Sequence, residues 1–185
     1  ENKIYAENEV SKFFYITPCF RYERPQSGRF REFNQYGVEV FGSDSPYMDA
    51  EVILIAYKLL NNLGIKNLKV KINSLGNEES RKKYREALVE YFKDKIDSLC
   101  ETCQERYKTN PLRILDCKVD QNNEVLKNAP KTIFYLDEES NKFFEDVKNI
   151  LSFNEIPFEI DTNLVRGLDY YTHTVFEVEA NVEGF

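Results

Sequence analysis

The alternation of apolar and polar positions predicts a β-hairpin near the start of the chain. Residues 13–20 are rich in aromatic and β-branched side chains, which favour a strand. Residues 21–32 are polar and contain a proline and a glycine, as is typical of a long connecting loop. In the returning strand, residues 33–42, successive side chains point to opposite faces, and Val38 and Val40 mark an apolar face. The opposite, more polar face carries Phe33, Gln35, Gly37 and Glu39.

Helical periodicity follows the predicted hairpin. Ser45 and Pro46 are typical of a helix start, and apolar residues at helical spacing from Val52 onward predict a helix that ends near Gly64. Residues 68–73 then alternate as a half-exposed strand. Further along, Asn77 is followed by two acidic residues and an apolar stripe, which predicts a capped helix start. A second helix with a clear apolar stripe is predicted to begin near Asp137.

The order of these elements predicts an α+β fold, with an antiparallel sheet backed by helices. Residues 158–164 and 169–179 return to strand patterns after the helical block. We therefore expect three parts. These are a core segment with the hairpin, a mainly helical insertion and a second core segment with the last strands, at residues 1–76, 77–154 and 155–185.

Composition narrows the class of protein. The 185 residues are 42% hydrophobic and 31% charged, as is typical of a globular protein, and no apolar run approaches the ~20 residues that span a bilayer. The net charge of −7 argues against a general binder of polyanions. A single histidine excludes a metal centre built from several histidines. The chain begins with Glu1 and not with methionine, so we expect it to be part of a longer protein.

The arginines are concentrated in the predicted loop, where four of the nine lie within eleven positions. A guanidinium group is planar and always charged, which suits a phosphate or a carboxylate held in fixed geometry. A solvated basic loop is the alternative, and the composition alone leaves both open. The four residues are Arg21, Arg24, Arg29 and Arg31.

The cysteines form part of a metal-ligand pattern. Cys100 and Cys103 have the Cys-x-x-Cys spacing, and thirteen residues separate Cys103 from Cys117. A closed structural zinc site needs four ligands, and the sequence offers no obvious fourth ligand nearby. We therefore expect buried free thiols and no protein-bound structural metal. A redox dithiol is less favoured, because no thioredoxin-like βαβ pattern surrounds the pair.

Two segments resemble sequences of a known family. Residues 20–33, FRYERPQSGRFREF, with their continuation over 34–42, resemble motif 2 of class II aminoacyl-tRNA synthetases in its histidyl form. Residues 164–172, LVRGLDYYT, are similar to the histidine-specific signature of histidyl-tRNA synthetases. With INSLG at 72–76 and NPLRILD at 110–116, the resemblance covers nearly the whole chain. It implies the catalytic core of that family, with an insertion.

The resemblance implies a reaction in two steps. Histidine and ATP, with Mg²⁺, would form histidyl-adenylate and pyrophosphate, and the histidyl group would then pass to the acceptor end of tRNA(His). It also implies a cytoplasmic enzyme, a homodimer in the full-length protein and no membrane partner. Other motifs of the family, before motif 2 and after the signature, are not found in these residues. We therefore expect this segment alone to be inactive.

The resemblance also assigns roles to individual side chains. Arg21 and Arg166 would act in catalysis, on opposite sides of the α-phosphate. The residues expected to bind ATP are Arg21, Glu23, Arg29 and Phe33. The residues expected to bind histidine are Gln35, Glu39, Arg166, Tyr170 and Tyr171.

Each of these roles has a structural alternative. Arg21 and Arg166 could form structural ion pairs, and Glu39 could pair with a lysine on the strand face. Phe33, and one of the two tyrosines, could be ordinary core residues. For the whole protein, the alternative is the non-catalytic, synthetase-like regulatory subunit of ATP phosphoribosyltransferase. The intact signature and the long helical block favour the ligase.

Overall fold

The structure, a computed structural model, describes residues 9–26, 28–165 and 171–180. Its backbone falls into two units, residues 1–48 and 49–185. The first unit contains a β-hairpin, and the second contains a small sheet with helices packed on it. Strands and helices do not alternate in a repeating βα unit, so the fold belongs to the predicted α+β class.

The predicted hairpin is confirmed. Strand β1 spans Ser11–Phe20 and strand β2 spans Glu32–Phe41, and the two pair antiparallel along their whole length. Gly37 lies opposite Tyr15, and a Cβ atom added to Gly37 would collide with the Tyr15 ring. The tyrosine of the facing strand therefore fills the space that the glycine leaves.

One face of the hairpin is apolar and exposed. Alternation along β1 puts Phe14, Ile16 and Phe20 on this face, with exposed fractions of 76%, 73% and 74%. A two-stranded hairpin is only marginally stable in water unless further strands or a helix cover its apolar face. The hairpin therefore depends on packing that its own two strands do not provide.

The sheet of the second unit has the strand order β4–β3–β5. Its central strand β3 spans Leu68–Ser74, β4 spans Phe158–Ile160 and β5 spans Thr174–Ala180. Strand β3 pairs antiparallel with β5, as predicted, but parallel with β4. The parallel pair departs from the predicted antiparallel sheet. Parallel neighbours need a long crossover connection, and the helical block between β3 and β4 supplies one.

Both strands after the helical block are shorter than predicted. Strand β4 ends where the chain turns at Asp161, whose carboxylate accepts a hydrogen bond from the Asn163 amide over 3.0 Å. Strand β5 begins only at Thr174. The preceding residue, His173, has a φ of +53°, and a strand does not continue through this left-handed conformation. Residues 169–170 of the predicted strand lie outside the described residues.

Two long helices pack on β3. Helix α1 spans Pro46–Asn62, as predicted, and is followed by Gly64 at a φ of +84°. Helix α5 spans Glu138–Phe153 and begins where predicted, with Asp137 as its N-cap. The buried residues of this shared core are Ala50, Ile53, Val70, Ile72, Phe144, Val147, Leu151 and Ile156.

The shorter helices build a second core. Helix α2, Glu78–Phe92, begins at the predicted cap Asn77, and is followed by α3, Glu101–Thr109, and the single-turn α4, Glu124–Lys127. A 3₁₀ helix lies between each pair of successive helices from α2 to α5. In chain order these are Ile96–Ser98, Pro111–Ile114 and Thr132–Tyr135. The buried residues of this core include Tyr84, Leu88, Phe92, Leu99, Cys103, Ile114 and Cys117. The predicted domain limits at 77 and 154 stay a prediction.

A reciprocal set of hydrogen bonds joins the starts of α2 and α5. The Asn77 side chain accepts from the Ser80 amide over 3.0 Å, and the Asp137 side chain accepts from the Ser140 amide over 2.7 Å. The amide of each cap then donates to the serine hydroxyl of the other helix, over 3.0 Å to Ser140 and 2.9 Å to Ser80. The Asn77 side-chain amide also donates to the Asp137 carboxylate over 2.5 Å. Hydrogen bonds from Ser140, together with that from Asn77, lower the pKa of Asp137.

Gly76→Ala is expected to lower the free energy of unfolding by about 2–3 kcal/mol. Gly76 has a φ of +67°, and an added Cβ would lie 2.5 Å from Ser80 Cβ and 2.9 Å from a methyl carbon of Leu136. Backbone strain and the clash therefore both raise the free energy of the folded state. Gly64→Ala is the matched control, because Gly64 has a φ of +84° in open space and should cost about 1 kcal/mol. Urea unfolding compares the variants, and equal losses would contradict the clash.

Candidate functional site

Arg21 and Phe33 form a contact at the loop end of the hairpin strands. The guanidinium carbon of Arg21 lies 3.8 Å from the centre of the Phe33 ring, a cation–π geometry. The Arg21 amide donates to the Arg31 carbonyl over 2.8 Å, which continues the pairing of the strands beyond Phe20. Within the described part of the chain, the buried Nε of Arg21 has no hydrogen-bond partner. A buried donor without an acceptor is costly, so this nitrogen is suited to a phosphate or carboxylate oxygen brought by a ligand.

The loop between the strands holds an ion pair. Arg29 pairs with Glu23, and the two side chains remain 43% and 62% exposed. Reciprocal backbone hydrogen bonds over 2.8 and 3.2 Å pair Arg29 with Gln26, and the Arg29 side chain reaches Glu23. An exposed pair of this kind contributes about 1 kcal/mol or less, so a charged ligand could replace either partner.

The polar face of β2 is the predicted one. Phe33, Gln35 and Glu39 occupy alternate positions and lie opposite Cys19, Thr17 and Phe13 of β1. The Cys19 thiol donates to the Gln35 side-chain oxygen over 3.1 Å, which fixes the direction of the amide. Glu39 is exposed, and no lysine or arginine of the described residues forms an ion pair with it. The alternative of a lysine-paired Glu39 therefore finds no support there.

The signature segment is described only at its end. Tyr171 belongs to the described residues and is 38% exposed. The predicted catalytic Arg166 and the predicted histidine-binding Tyr170 lie outside them. Their roles, and those of the hairpin residues, stay predictions.

One half-buried carboxylate was not predicted as a site residue. Asp49 lies in the first turn of α1, where an acidic residue looks like an ordinary partner of the helix dipole. Burial raises the pKa of Asp49, and interactions with Thr174 and His173 oppose that rise. The His173 ring also stacks on Phe143, with 4.4 Å between ring centres. No local sequence pattern connects Asp49 with His173 and Thr174, which come much later in the chain. Only the fold therefore reveals that these residues interact.

The predicted lack of a fourth metal ligand is wrong for the cysteine cluster. Cys100, Cys103 and Cys117 come together in the second core, and Asp120 joins them. One potential ligand atom from each of the four residues lies within 4.8 Å of the other three.

The described helices do not include one that is both long and apolar enough to cross a membrane.

Comparison with known proteins places the chain in a family. The histidyl-tRNA synthetase family matches residues 2–183. The chain is 54% identical to the histidine–tRNA ligase of Bacillus velezensis over 186 aligned positions, which cover 100% of this chain and 44% of that protein. The chain therefore spans less than half the length of the curated relatives it matches.

Solved structures agree with the sequence comparison. The fold is similar to the crystal structure of apo histidyl-tRNA synthetase from S. aureus, with a TM-score of 0.72 and 44% identity over 90% of this chain and 38% of that one. It is also similar to a Bacillus halodurans protein described as an ATP phosphoribosyltransferase regulatory subunit/histidyl-tRNA synthetase, with a TM-score of 0.63. At 20% identity this second likeness concerns the fold alone. Because the family matches almost every residue, the chain belongs to the histidyl-tRNA synthetase family.

Proposed function

We propose that this protein is a histidine–tRNA ligase, which activates histidine with ATP and transfers it to tRNA(His). The observation that carries the proposal is the polar face of the hairpin, where an unsatisfied arginine, an aromatic ring, an amide and a carboxylate follow one another. This face lies in a chain that is 54% identical to a histidine–tRNA ligase. The non-catalytic alternative rests on a likeness at 20% identity, and nothing in the hairpin favours it.

The arginine end of this face suits the phosphates of ATP. In adenylate formation, a carboxylate oxygen of histidine attacks the α-phosphorus, and the bond to the β-phosphate oxygen breaks to release pyrophosphate. Charge grows on the α-phosphate oxygens, so a fixed cation there lowers the barrier. Arg21 would supply it from the hairpin and Arg166 from the signature. ATP would enter as its Mg²⁺ complex, in which the ion neutralises phosphate charge.

The nucleotide would use three further residues. Adenine would stack on the face of Phe33 opposite to Arg21, which is held against one side of the ring. Glu23 would accept a hydrogen bond from the adenine amino group, and Arg29 would reach the γ-phosphate. Binding would therefore exchange the Glu23–Arg29 ion pair for two ligand contacts, at little cost because that pair is exposed.

The carboxylate end of the face suits the histidine side chain. Glu39 would accept a hydrogen bond from one ring N–H, and Tyr171 would bond the second ring nitrogen with Tyr170 beside it. Gln35, oriented by Cys19, would hold the backbone groups of the amino acid together with Arg166. A site that hydrogen-bonds a substrate N–H rejects analogues without it far better than an apolar pocket does.

The proposed partners follow from the same reaction. The acceptor end of tRNA(His) would approach the basic loop, which concentrates positive charge in a chain with a net charge of −7. We further propose that the full-length protein is a cytoplasmic homodimer without a membrane partner.

Histidine-dependent ATP–pyrophosphate exchange by the protein as its gene encodes it tests the proposal. We expect exchange with histidine, no exchange with the other amino acids, and charging of tRNA(His) in the second step. Chelation of Mg²⁺ should abolish exchange. A folded, dimeric protein that binds histidine but catalyses no exchange would overturn the ligase assignment.

A further inference from the structure

Three thiols and one carboxylate meet inside the second core. The Cys100 and Cys117 sulfur atoms lie 3.7 Å apart, and the Cys117 sulfur lies 3.6 Å from Oδ2 of Asp120. Cys103 is fully buried and belongs to the same group. Four potential ligands of the kinds that bind zinc therefore surround one point.

The spacing of these atoms fits a tetrahedral metal ion. With Zn–S bonds of about 2.3 Å, two thiolates on a tetrahedron lie about 3.8 Å apart, and a thiolate and a carboxylate oxygen about 3.5 Å apart. The observed separations of 3.7 and 3.6 Å agree with these values. An ordinary disulfide has an S–S distance of about 2 Å, so the two sulfur atoms are spaced for a shared ion and not for a covalent bond.

The local sequence explains why the four groups converge. Cys100 is the N-cap residue of α3 and Cys103 lies in its first turn, so both sulfur atoms are near one helix start. After α3, Asn110 caps the 3₁₀ helix that begins at Pro111, and this turn brings the chain back to Cys117. Two residues separate Cys100 from Cys103, and two separate Cys117 from Asp120. The first pair lies before the 3₁₀ helix at Pro111 and the second pair after it.

Hydrogen bonds orient the carboxylate toward the thiols. The Cys100 amide donates to Oδ2 of Asp120 over 3.0 Å, a contact between the first and last members of the cluster. Burial works against ionisation of Asp120, but hydrogen bonds from the Cys100 thiol and amide outweigh it and lower its pKa. Zn²⁺ binds the thiolate form of cysteine, so an ion among these three thiols would take the place of their protons.

The segment around the cluster contains few long elements. Helix α3 has nine residues and α4 has four, and a 3₁₀ helix of four residues and further turns lie between them. Helices this short are unstable alone, and small folds with few long elements often rely on a structural metal. The cluster lies where α3 and the returning chain meet the buried side chains of α2.

We propose that Cys100, Cys103, Cys117 and Asp120 bind one structural Zn²⁺ ion, which fixes the fold of the segment from α3 to α4. The ion would hold α3 against the returning chain. This inference does not depend on the proposed ligase activity, because the cluster and its test concern binding and local stability only.

Zinc content tests the proposal directly. The protein as its gene encodes it is reduced, loaded with Zn²⁺, dialysed and measured by elemental mass spectrometry. We expect one zinc per chain in the wild type and the loss of most of the bound zinc in Cys103→Ser and Cys117→Ser, because each substitution removes one of the four ligands. Cys19→Ser is the matched control, because it removes the thiol of the hairpin unit and should leave the zinc content unchanged.

Two further measurements keep the proposal testable if a cysteine variant fails to fold. Co²⁺ bound to the wild type should give the visible absorption bands of a tetrahedral site and charge-transfer bands from three thiolates. The Asp120→Cys variant should still bind Co²⁺, with charge-transfer bands from four thiolates. Removal of zinc with a chelator should speed amide hydrogen exchange in α3 but not in β3. A reduced wild type that takes up no zinc and binds Co²⁺ only in octahedral form would overturn the proposal, as would zinc binding that survives both serine substitutions.

Discussion

Arg21→Ala is expected to slow histidine-dependent ATP–pyrophosphate exchange by about 10²- to 10³-fold, the range found when one preorganised donor to a developing charge is removed. The Arg21 guanidinium is already fixed against Phe33 and keeps a buried Nε without a partner in the described part of the chain. It therefore needs no reorganisation when a phosphate arrives. Steady-state exchange kinetics on the full-length protein measure the loss, which should fall mainly on kcat.

Two controls separate catalysis from folding. Arg21→Lys keeps the charge but loses the planar fork, so activity should fall between that of the wild type and that of the alanine variant. Arg85→Ala removes an exposed guanidinium on α2 that donates only to the Thr109 carbonyl in the described part of the chain, and should leave exchange unchanged. Exchange by Arg21→Ala at the wild-type rate would contradict the role assigned to Arg21.

Asp137→Ala is expected to lower the free energy of unfolding by about 3–4 kcal/mol. The substitution removes the cap of α5 and leaves two donors without acceptors, the Ser140 amide and the Asn77 side-chain amide. Because Ser140 is fully buried, water cannot easily replace the lost carboxylate. Urea unfolding measures the loss. Asp94→Ala, which removes an exposed carboxylate beyond the end of α2, is the control and should change stability by less than about 0.5 kcal/mol.

The same carboxylate predicts a dependence on pH. The pKa of Asp137 in the folded protein lies below its ordinary value of 3.8, so the unfolded state binds its proton more readily. Its contribution to stability is therefore complete above the ordinary pKa and is lost as the pH falls through the folded-state value. The difference in stability between the wild type and Asp137→Asn should shrink over that acidic range. A difference that does not change between pH 7 and the acid limit of folding would contradict this linkage.

The sequence pattern predicted those helices and strands whose limits depend on residues close together in the sequence. The cap at Asn77 and the helix start near Asp137 were predictable from the residues that follow them, and both helices begin there. The end of β4 was not predicted, because Asp161 and Asn163 both fit the strand pattern. In the structure the Asp161 carboxylate accepts a hydrogen bond from the Asn163 amide, and the chain turns there. The parallel pairing of β4 depends on where the chain returns after the helical block, which periodicity does not specify.

Only some residues of the candidate sites could be predicted from the sequence, for a similar reason. The residues of the hairpin follow one another along two strands, so motif and alternation together predicted the face on which Phe33, Gln35 and Glu39 lie. Asp120 was missed because a carboxylate near a cysteine is common and carries no distinctive pattern. Arg166 and Tyr170 lie outside the described residues, so their positions stay predictions.

The position of β3 at the centre of its sheet has a consequence for synthesis on the ribosome. Val70 pairs with Phe158 on one side and with Val178 on the other, so both partners are made about ninety or more residues later. Helices α2, α3 and α4 pack on one another in the second core, so they can fold while both edges of β3 are still unpaired. Contacts so distant in sequence slow folding and expose unpaired strands to other chains. The sheet is therefore expected to be the last part of this unit to form, and the stage at which a nascent chain most needs protection from aggregation.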